Sequence, residues 1–283
     1  MSQQDGKTMT NMQQEQTEAD AQDQPGRDAE QAERAVEHRV ATVWEQIGQA
    51  CTAAGRPRES VRLLPVSKRH SVEAMRRVNV VLDALAARNG LTISSQSARL
   101  YGENHVQEIV AKSGEIGADE GISMALIGHL QSNKVNAVAG LVEEFQALDS
   151  LKLAAKLDRK LSSLGRSLRV LVEVNTSGEA NKHGVPFDQA LDLCGRLGDF
   201  DCLDVQGLMT VAINSPDQAV VGACFDRLAE LQKQLRDDAV LSSSWPELSM
   251  GMSGDFPLAI AHGATTVRIG TALFGPRDYD LNR

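Results

Sequence analysis

Eight short apolar runs, separated by longer segments with helical periodicity, constrain the fold of this chain more than any other feature. The runs span residues 62–68, 99–104, 123–128, 144–149, 169–175, 205–211, 246–251 and 266–272. Between them, segments such as 151–164, 187–197 and 216–237 are long enough for crossover helices. Strands that alternate with helices pair in parallel. Eight such units in roughly 230 residues predict a closed (β/α)₈ barrel rather than an open sheet, whose GxGxxG fingerprint is missing.

The start of the chain differs in composition from the rest. Residues 1–29 hold almost no large apolar side chains and many Gln, Asp and Glu residues. Such a segment cannot bury enough surface to offset its ordering entropy, so it is predicted to be a disordered tail. Apolar residues then recur at helical spacing from 30 to 54, which predicts an extra N-terminal helix ended by Gly55 and Pro57. We expect residues 30–283 to form the barrel, with no second folded domain.

Composition excludes several classes of function. With 29 basic and 38 acidic residues the net charge is −9, which argues against a nucleic-acid partner or an anionic membrane surface. No apolar stretch approaches the ~18 residues that a membrane span needs, and a secretory signal is missing. The four cysteines are scattered, which favours a reducing cytoplasm. Neither they nor the six histidines show metal-ligand spacing, so we predict no metal.

Polar or small residues end most of the predicted strands. In a barrel of this kind the reactive side chains lie at the C-terminal ends of the strands, so these residues are expected to face one mouth. They are Lys68, Asn104, Gly128 with His129, Asn175, Thr210, Met250 with Ser253, and Arg268 with Gly270 and Thr271. Each alone also fits an ordinary strand-to-loop transition. Their joint arrangement favours a functional site.

Lys68 closes the apolar run VRLLPVSKRH at residues 61–70. Burial of a lysine ammonium costs free energy unless the charge is paired or neutralised. Desolvation favours the neutral amine, which can form a Schiff base with a carbonyl compound. By itself, the strand is equally compatible with a lysine whose ammonium reaches water past the rim.

Two glycine-containing loops near the end of the chain predict an anion site. In residues 250–260 a strand runs into Gly251-Met252-Ser253-Gly254 and then a helix, so backbone amides and the Ser253 hydroxyl point to one spot. Gly270 and Thr271 repeat this arrangement after the final strand. Barrels commonly hold a phosphate between these two loops, although each pair alone also fits a helix cap.

These residues belong to a set of segments that resembles a known family. In family order they are PVSK (65–68), YGENHVQE (101–108), IGHLQSNK (127–134), VEVNTSGEANKHGV (172–185), GLMTV (207–211), LSMGMSGD (248–255) and VRIGTALFG (267–275). The chain resembles the pyridoxal phosphate homeostasis proteins, single barrels related to the N-terminal domain of alanine racemase. The resemblance implies a fold-type III barrel that binds pyridoxal 5'-phosphate (PLP) and maintains amino-acid and vitamin B6 balance.

The resemblance also implies roles for individual residues. Lys68 matches the lysine that holds PLP as an internal aldimine, a Schiff base. Arg268 matches the arginine that faces the pyridine nitrogen; because arginine keeps its own proton, the ring becomes a poor electron sink. Asn104 is expected to border the ring. The remaining cofactor-binding residues are expected to be Met250, Ser253, Gly254, Gly270 and Thr271, the last four around the phosphate.

The chain departs from the family pattern in three places. His105 follows GEN where the family usually has an aromatic residue, and SMAL (123–126) precedes IG where the approach is usually aromatic-rich. Residues 79–98 are longer than the usual connection. They are predicted to form an extended helix and a polar surface loop, either a tolerated insertion or a partner site.

The functional prediction is a PLP carrier, because the family has no established turnover reaction. Its partners would be PLP and PLP-dependent apoenzymes, and the barrel would be a monomer or a weak dimer. Two alternatives stay open. One is a PLP-dependent enzyme resembling a racemase or an aldolase, and the other is a phosphate-binding barrel that never holds PLP.

Overall fold

The strands of this protein form a parallel barrel. The computed structural model describes residues 30–89, 100–117, 120–179, 181–237 and 245–276. Within these residues the strands are β1 (Arg62–Pro65), β2 (Leu100–Glu103), β3 (Ser123–Leu126), β4 (Glu144–Leu148), β5 (Leu168–Asn175), β6 (Val185–Pro186), β7 (Leu203–Met209), β8 (Glu247–Ser249) and β9 (Thr266–Ile269). They follow the order β1-β9-β8-β7-β5-β4-β3-β2, with β6 paired only to β5. A parallel bridge from Val66 to Gly102 joins β1 to β2, so the (β/α)₈ prediction is confirmed.

Helices surround this barrel. They are α1 (30–53), α2 (Val72–Arg88), α3 (Val106–Glu115), α4 (Val135–Val138), α5 (Leu151–Leu164), α6 (Ala190–Gly195), α7 (Gln218–Asp237), α8 (Phe256–Ala261) and α9 (Thr271–Phe274). The predicted N-terminal helix is α1, and the predicted helix at 151–164 is α5. Ser150 starts α5 by accepting a hydrogen bond from the Leu153 amide, and Gly165 ends it with a φ of 64°. None of the described helices is both long and apolar enough to cross a bilayer.

The predicted crossover helix at 187–197 is wrong in detail. This segment breaks into a 3₁₀ turn at Phe187–Gln189, the short helix α6 and a second 3₁₀ turn at Leu197–Asp199. Gly195 lies within this segment, and Gly198 directly follows it. Each glycine costs a helix about 1 kcal/mol relative to alanine, so apolar spacing alone does not sustain one continuous helix here.

Two expectations from the sequence lie wholly or partly outside the described residues. The tail predicted for residues 1–29 lies wholly outside them. Of the long connection at 79–98, the first part is helical, since α2 continues to Arg88. Residues 90–99 lie outside the described part of the chain.

The main apolar core lies between the sheet and the helices. Ile47 of α1, Leu157 of α5 and Leu228 of α7 are fully buried there, beside Phe145 of β4. Each such side chain contributes about 1.5–3 kcal/mol on burial. The core therefore holds the helices on the barrel wall, whereas the interior of the barrel contains many polar side chains, described below.

Candidate functional site

The turn that carries Lys68 lies where β1 meets β2. The Ser67 amide donates to the Gly102 carbonyl at 3.0 Å, and the His70 amide donates back to the Ser67 carbonyl at 3.0 Å. Arg69 within the turn has a φ of 61°, an uncommon conformation for a residue other than glycine. Lys68 itself is half-buried. The turn thus places the lysine at the rim of the barrel rather than in bulk solvent.

A cluster of three charged residues, Glu103, Glu108 and Lys112, contacts this turn. We call it the Glu103 cluster. Lys112 Nζ donates to the Ser67 carbonyl at 2.8 Å and to the Glu103 carboxylate. Ser67 Oγ donates to Glu103 Oε1 at 2.6 Å, and Glu108 Oε2 accepts from the Arg69 amide at 2.7 Å. Burial raises the pKa of Glu103, although the Lys112 charge acts in the opposite direction. Three polar groups of the turn are therefore fixed by β2 and α3.

Arg268 of β9 is buried inside the barrel near the same mouth. Its Nη1 donates to Ser249 Oγ at 2.8 Å and its Nη2 donates to the Thr210 carbonyl at 2.8 Å. Burial lowers the pKa of Arg268 to about 10, and the Glu173 charge partly opposes that shift. Because this value is far above neutral pH, the guanidinium keeps its proton.

The loops after β8 and β9 offer backbone amides and hydroxyls. Ser253 is half-buried, and Gly254 and Thr271 are exposed. Within the described residues, the Ser253 and Gly254 amides donate to no protein acceptor. A Cβ added at Gly254 would meet nothing within 4 Å, whereas one added at Gly270 would lie 3.1 Å from the Val66 carbonyl oxygen. The first loop is open to a ligand, and the second packs against the end of β1.

Asn104 follows β2 and has an unsatisfied buried atom. Its Oδ1 has no hydrogen-bond partner in the part of the chain described. The neighbouring loop comes very close, since a Cβ added at Gly128 would lie 2.3 Å from the Asn104 carbonyl oxygen. A buried carbonyl oxygen without a donor costs free energy. A ligand that brings an O–H or N–H group to this atom would satisfy it.

Other strand-end residues have different surroundings. Met250 is fully buried in the apolar core beneath the loops. Asn175 uses its side chain to close its own loop, because its Nδ2 donates to the Glu179 carbonyl at 2.9 Å. The His129 ring stacks on His183 with a centroid distance of 4.7 Å. Lys68, Asn104, Arg268 and the two glycine loops therefore lie at the mouth of the barrel. Asn175 instead stabilises its own loop by hydrogen bonding.

Glu173 lies in the VEVN segment (172–175), but its sequence context predicted no role for it. It is buried in β5, and burial raises its pKa to about 7, with the Arg268 charge opposing and Asp149 adding to the shift. Glu144 and Gln146 in β4 were likewise not predicted to be part of the site. Their signal was present, because polar residues at alternate positions of an otherwise apolar strand indicate one polar face.

Fold and site together define a class of protein. Residues 85–278 match the family model described as alanine racemase, N-terminal domain. An alanine racemase structure from Clostridium difficile aligns with a TM-score of 0.61 and 14% identity, covering 86% of this chain and 58% of that one. At this identity the likeness concerns the fold alone.

Relatives of higher sequence identity identify the family within this class. The chain is 39% identical over 256 residues to the pyridoxal phosphate homeostasis protein of Vibrio cholerae, which covers 88% of this chain and 99% of the relative. The structure of PipY from Synechococcus elongatus with PLP bound is 32% identical, with a TM-score of 0.68, covering 85% of this chain and 100% of that one. This chain belongs to the pyridoxal phosphate homeostasis protein family.

Proposed function

We propose that the protein binds PLP and acts in its homeostasis by storing or delivering the cofactor. The observation that carries the proposal is the joint position of Lys68, Arg268 and the Ser253–Gly254 amides at one end of the barrel. PLP supplies an aldehyde that condenses with a primary amine, together with a pyridine nitrogen and a phosphate. Each of these groups has a suitable counterpart among these residues.

The roles follow from the chemistry of each side chain. Lys68 provides the amine, and the Glu103 cluster holds its turn in place. Arg268 would donate a hydrogen bond to the pyridine nitrogen, and Asn104 Oδ1 would accept one from a donor group on the ring. Met250 supports the loops from below. The phosphate is bound by amides and hydroxyls of Ser253, Gly254, Gly270 and Thr271.

The properties of Arg268 favour a carrier over a catalyst. A guanidinium that keeps its proton does not protonate the pyridine nitrogen, so the ring withdraws electrons weakly. We further propose that the acceptors are PLP-dependent apoenzymes and that the barrel is a monomer or a weak dimer. The four cysteines are free, which fits a reducing cytoplasm.

The attachment of PLP is tested by visible absorption of the purified protein. The wild type should retain PLP with an absorption band that borohydride shifts, and Lys68→Ala should lose the band. Lys182→Ala is the control, because Lys182 lies in the loop after β5 and donates to the Ala212 carbonyl at 2.9 Å. Retention of the band in Lys68→Ala, with loss in Lys182→Ala, would reject Lys68 as the attachment site.

The phosphate assignment is tested separately. Ser253→Ala should weaken PLP binding about tenfold, since one hydrogen bond to a charged group is lost. Ser163→Ala is the control, because Ser163 is exposed on α5 and its hydroxyl donates to the Lys160 carbonyl of the same helix at 2.6 Å. Equal PLP affinity of the two variants, measured by equilibrium dialysis, would contradict the assignment.

The enzyme alternative requires a different measurement. We expect no steady turnover when the PLP-loaded protein is incubated with a panel of D- and L-amino acids. Turnover that disappears in Lys68→Ala would identify an enzyme instead. Transfer of PLP to a defined apoenzyme faster than uptake from free solution would support direct delivery.

A further inference from the structure

A chain of hydrogen bonds crosses the interior of the barrel from Arg268 to an ion pair at the other end. Arg268 Nη1 donates to Ser249 Oγ at 2.8 Å, and Ser249 Oγ donates to Gln146 Oε1 at 2.7 Å. Gln146 Nε2 donates to Glu144 Oε1 at 2.6 Å. Glu144 in turn accepts two bonds from Arg62, at 2.8 and 2.9 Å. We call these five residues the interior chain.

The middle of the interior chain is shielded from water, and the chain spans the barrel. Ser249 and Gln146 are 0% exposed, and Glu144 is 1% exposed. Ser249 lies on β8 and Gln146 on β4, with β7 and β5 between them in the sheet, so their bond passes through the interior. Away from water, a hydrogen bond is stronger and an unpaired partner is more costly.

The donor and acceptor roles are fixed from the Glu144 end. Although burial alone would raise the pKa of Glu144, Arg62 holds it below its ordinary value, so Glu144 is an ionised acceptor. Gln146 must then present its NH₂ group to Glu144 and its oxygen to Ser249. The Ser249 hydroxyl must donate its hydrogen to that oxygen. A lone pair of Ser249 Oγ is then available to accept the hydrogen bond from Arg268. The opposite orientation would bring two acceptors face to face.

We infer that Gln146 and Ser249 are positioning residues that fix the plane of the Arg268 guanidinium toward bound PLP. The bond to the Thr210 carbonyl provides one anchor, about which the guanidinium plane can rotate. The bond to Ser249 provides the second anchor, and two anchors define the plane. This inference rests on the proposed function, because it assigns Arg268 to the pyridine nitrogen.

The test compares two buried glutamines. Gln146→Met keeps the approximate volume but removes the two bonds that Gln146 makes in the interior chain, to Ser249 and to Glu144. Gln232→Met on α7 is the matched control, since Gln232 is also buried and its Nε2 donates to the Trp245 carbonyl at 2.7 Å, outside the barrel. Gln146→Met should weaken PLP binding about tenfold and shift the absorption maximum of bound PLP, as expected when a bond to a charged group is weakened. Gln232→Met should bind PLP like the wild type and leave the maximum unchanged.

Two substitutions of Ser249 provide an independent test if Gln146→Met does not fold. Ser249→Ala removes the hydroxyl and should reproduce the loss of affinity and the spectral shift, whereas Ser249→Thr keeps the hydroxyl and should restore both. If Ser249→Ala binds PLP with the affinity and spectrum of Ser249→Thr, the interior chain only stabilises the fold and the inference is wrong. Failure of the proposed function looks different, because the wild type would then bind no PLP or Lys68→Ala would bind it equally well.

Discussion

Glu173 lies buried in β5, and burial raises its pKa from 4.5 to about 7. The folded protein therefore binds this proton more tightly than the unfolded chain does. The resulting stabilisation is present in full below pH 4.5, the unfolded value, and it is lost as the pH rises through about 7.

Replacing Glu173 with glutamine should remove this pH dependence. Between pH 4.5 and 8 the wild type should lose about 3 kcal/mol more unfolding free energy than Glu173→Gln, because one pKa unit corresponds to about 1.4 kcal/mol. Chemical denaturation of PLP-free protein across this range measures the difference. Glu230→Gln, an exposed change on α7, should follow the wild-type curve. If Glu173→Gln follows that curve too, the pKa of Glu173 is not raised in the folded protein.

Strand-end residues such as Lys68 and Arg268 were predictable from sequence, because a (β/α)₈ fold brings every strand's C-terminal end to one mouth. The roles of Gln146 and Ser249 were not. They depend on which strands oppose each other across the interior, and that is decided by closure of the whole sheet. Alternating polar positions in β4 show that Glu144 and Gln146 share a face, but they do not show what these two residues contact.

At the scale of single elements, α3 holds the Lys68 turn through Lys112. Lys112→Met should destabilise the protein by about 3 kcal/mol or more, because Glu103 would remain buried without its cation. PLP binding should also weaken, since the Ser67 carbonyl would lose its donor. Thermal unfolding and equilibrium dialysis measure the two effects.

The control for Lys112 is a lysine on an exposed helix face. Lys152 of α5 is exposed, and Lys152→Met should change neither the unfolding midpoint nor the affinity for PLP. A Lys112→Met variant as stable as Lys152→Met would show that the Glu103 cluster does not support the turn.

The loops after β2 and β3 can lie close together because residue 128 is a glycine. A Cβ at position 128 would lie 2.3 Å from the Asn104 carbonyl oxygen, so Gly128→Ala should destabilise the protein by about 2 kcal/mol or more and displace Asn104. At Gly114 of α3 a Cβ meets nothing within 4 Å. Gly114→Ala should therefore stabilise the protein by up to about 1 kcal/mol. Unfolding midpoints that shift in the same direction for both variants would contradict this prediction.

At the scale of the whole molecule, the barrel closes through a short seam. Within the described residues β1 and β2 share one isolated bridge, from Val66 to Gly102, whereas β5 and β7 pair along six residues. Amides at the seam, such as that of Ser67, should exchange with solvent through a smaller opening than amides of β5, such as that of Val172. Hydrogen exchange followed by mass spectrometry measures both regions, and PLP should slow exchange at the seam. Equal protection of the two regions without PLP would contradict the prediction.

The architecture of the whole molecule was more predictable than its interior. All eight predicted runs overlap a strand of the barrel, because short apolar runs between helical segments have few other stable arrangements. The two-residue strand β6 was not predicted from the sequence. It is part of a loop that pairs with β5, and it has no apolar pattern of its own.

The interior chain also bears on how this protein can change over generations. An apolar core tolerates many exchanges of similar volume, but a series of donors and acceptors fixed at one end tolerates few single changes. Substitutions at Gln146 or Ser249 should therefore persist only in compensating sets. Sequence drift in this lineage would accumulate on the outer helices while the barrel axis stays nearly constant.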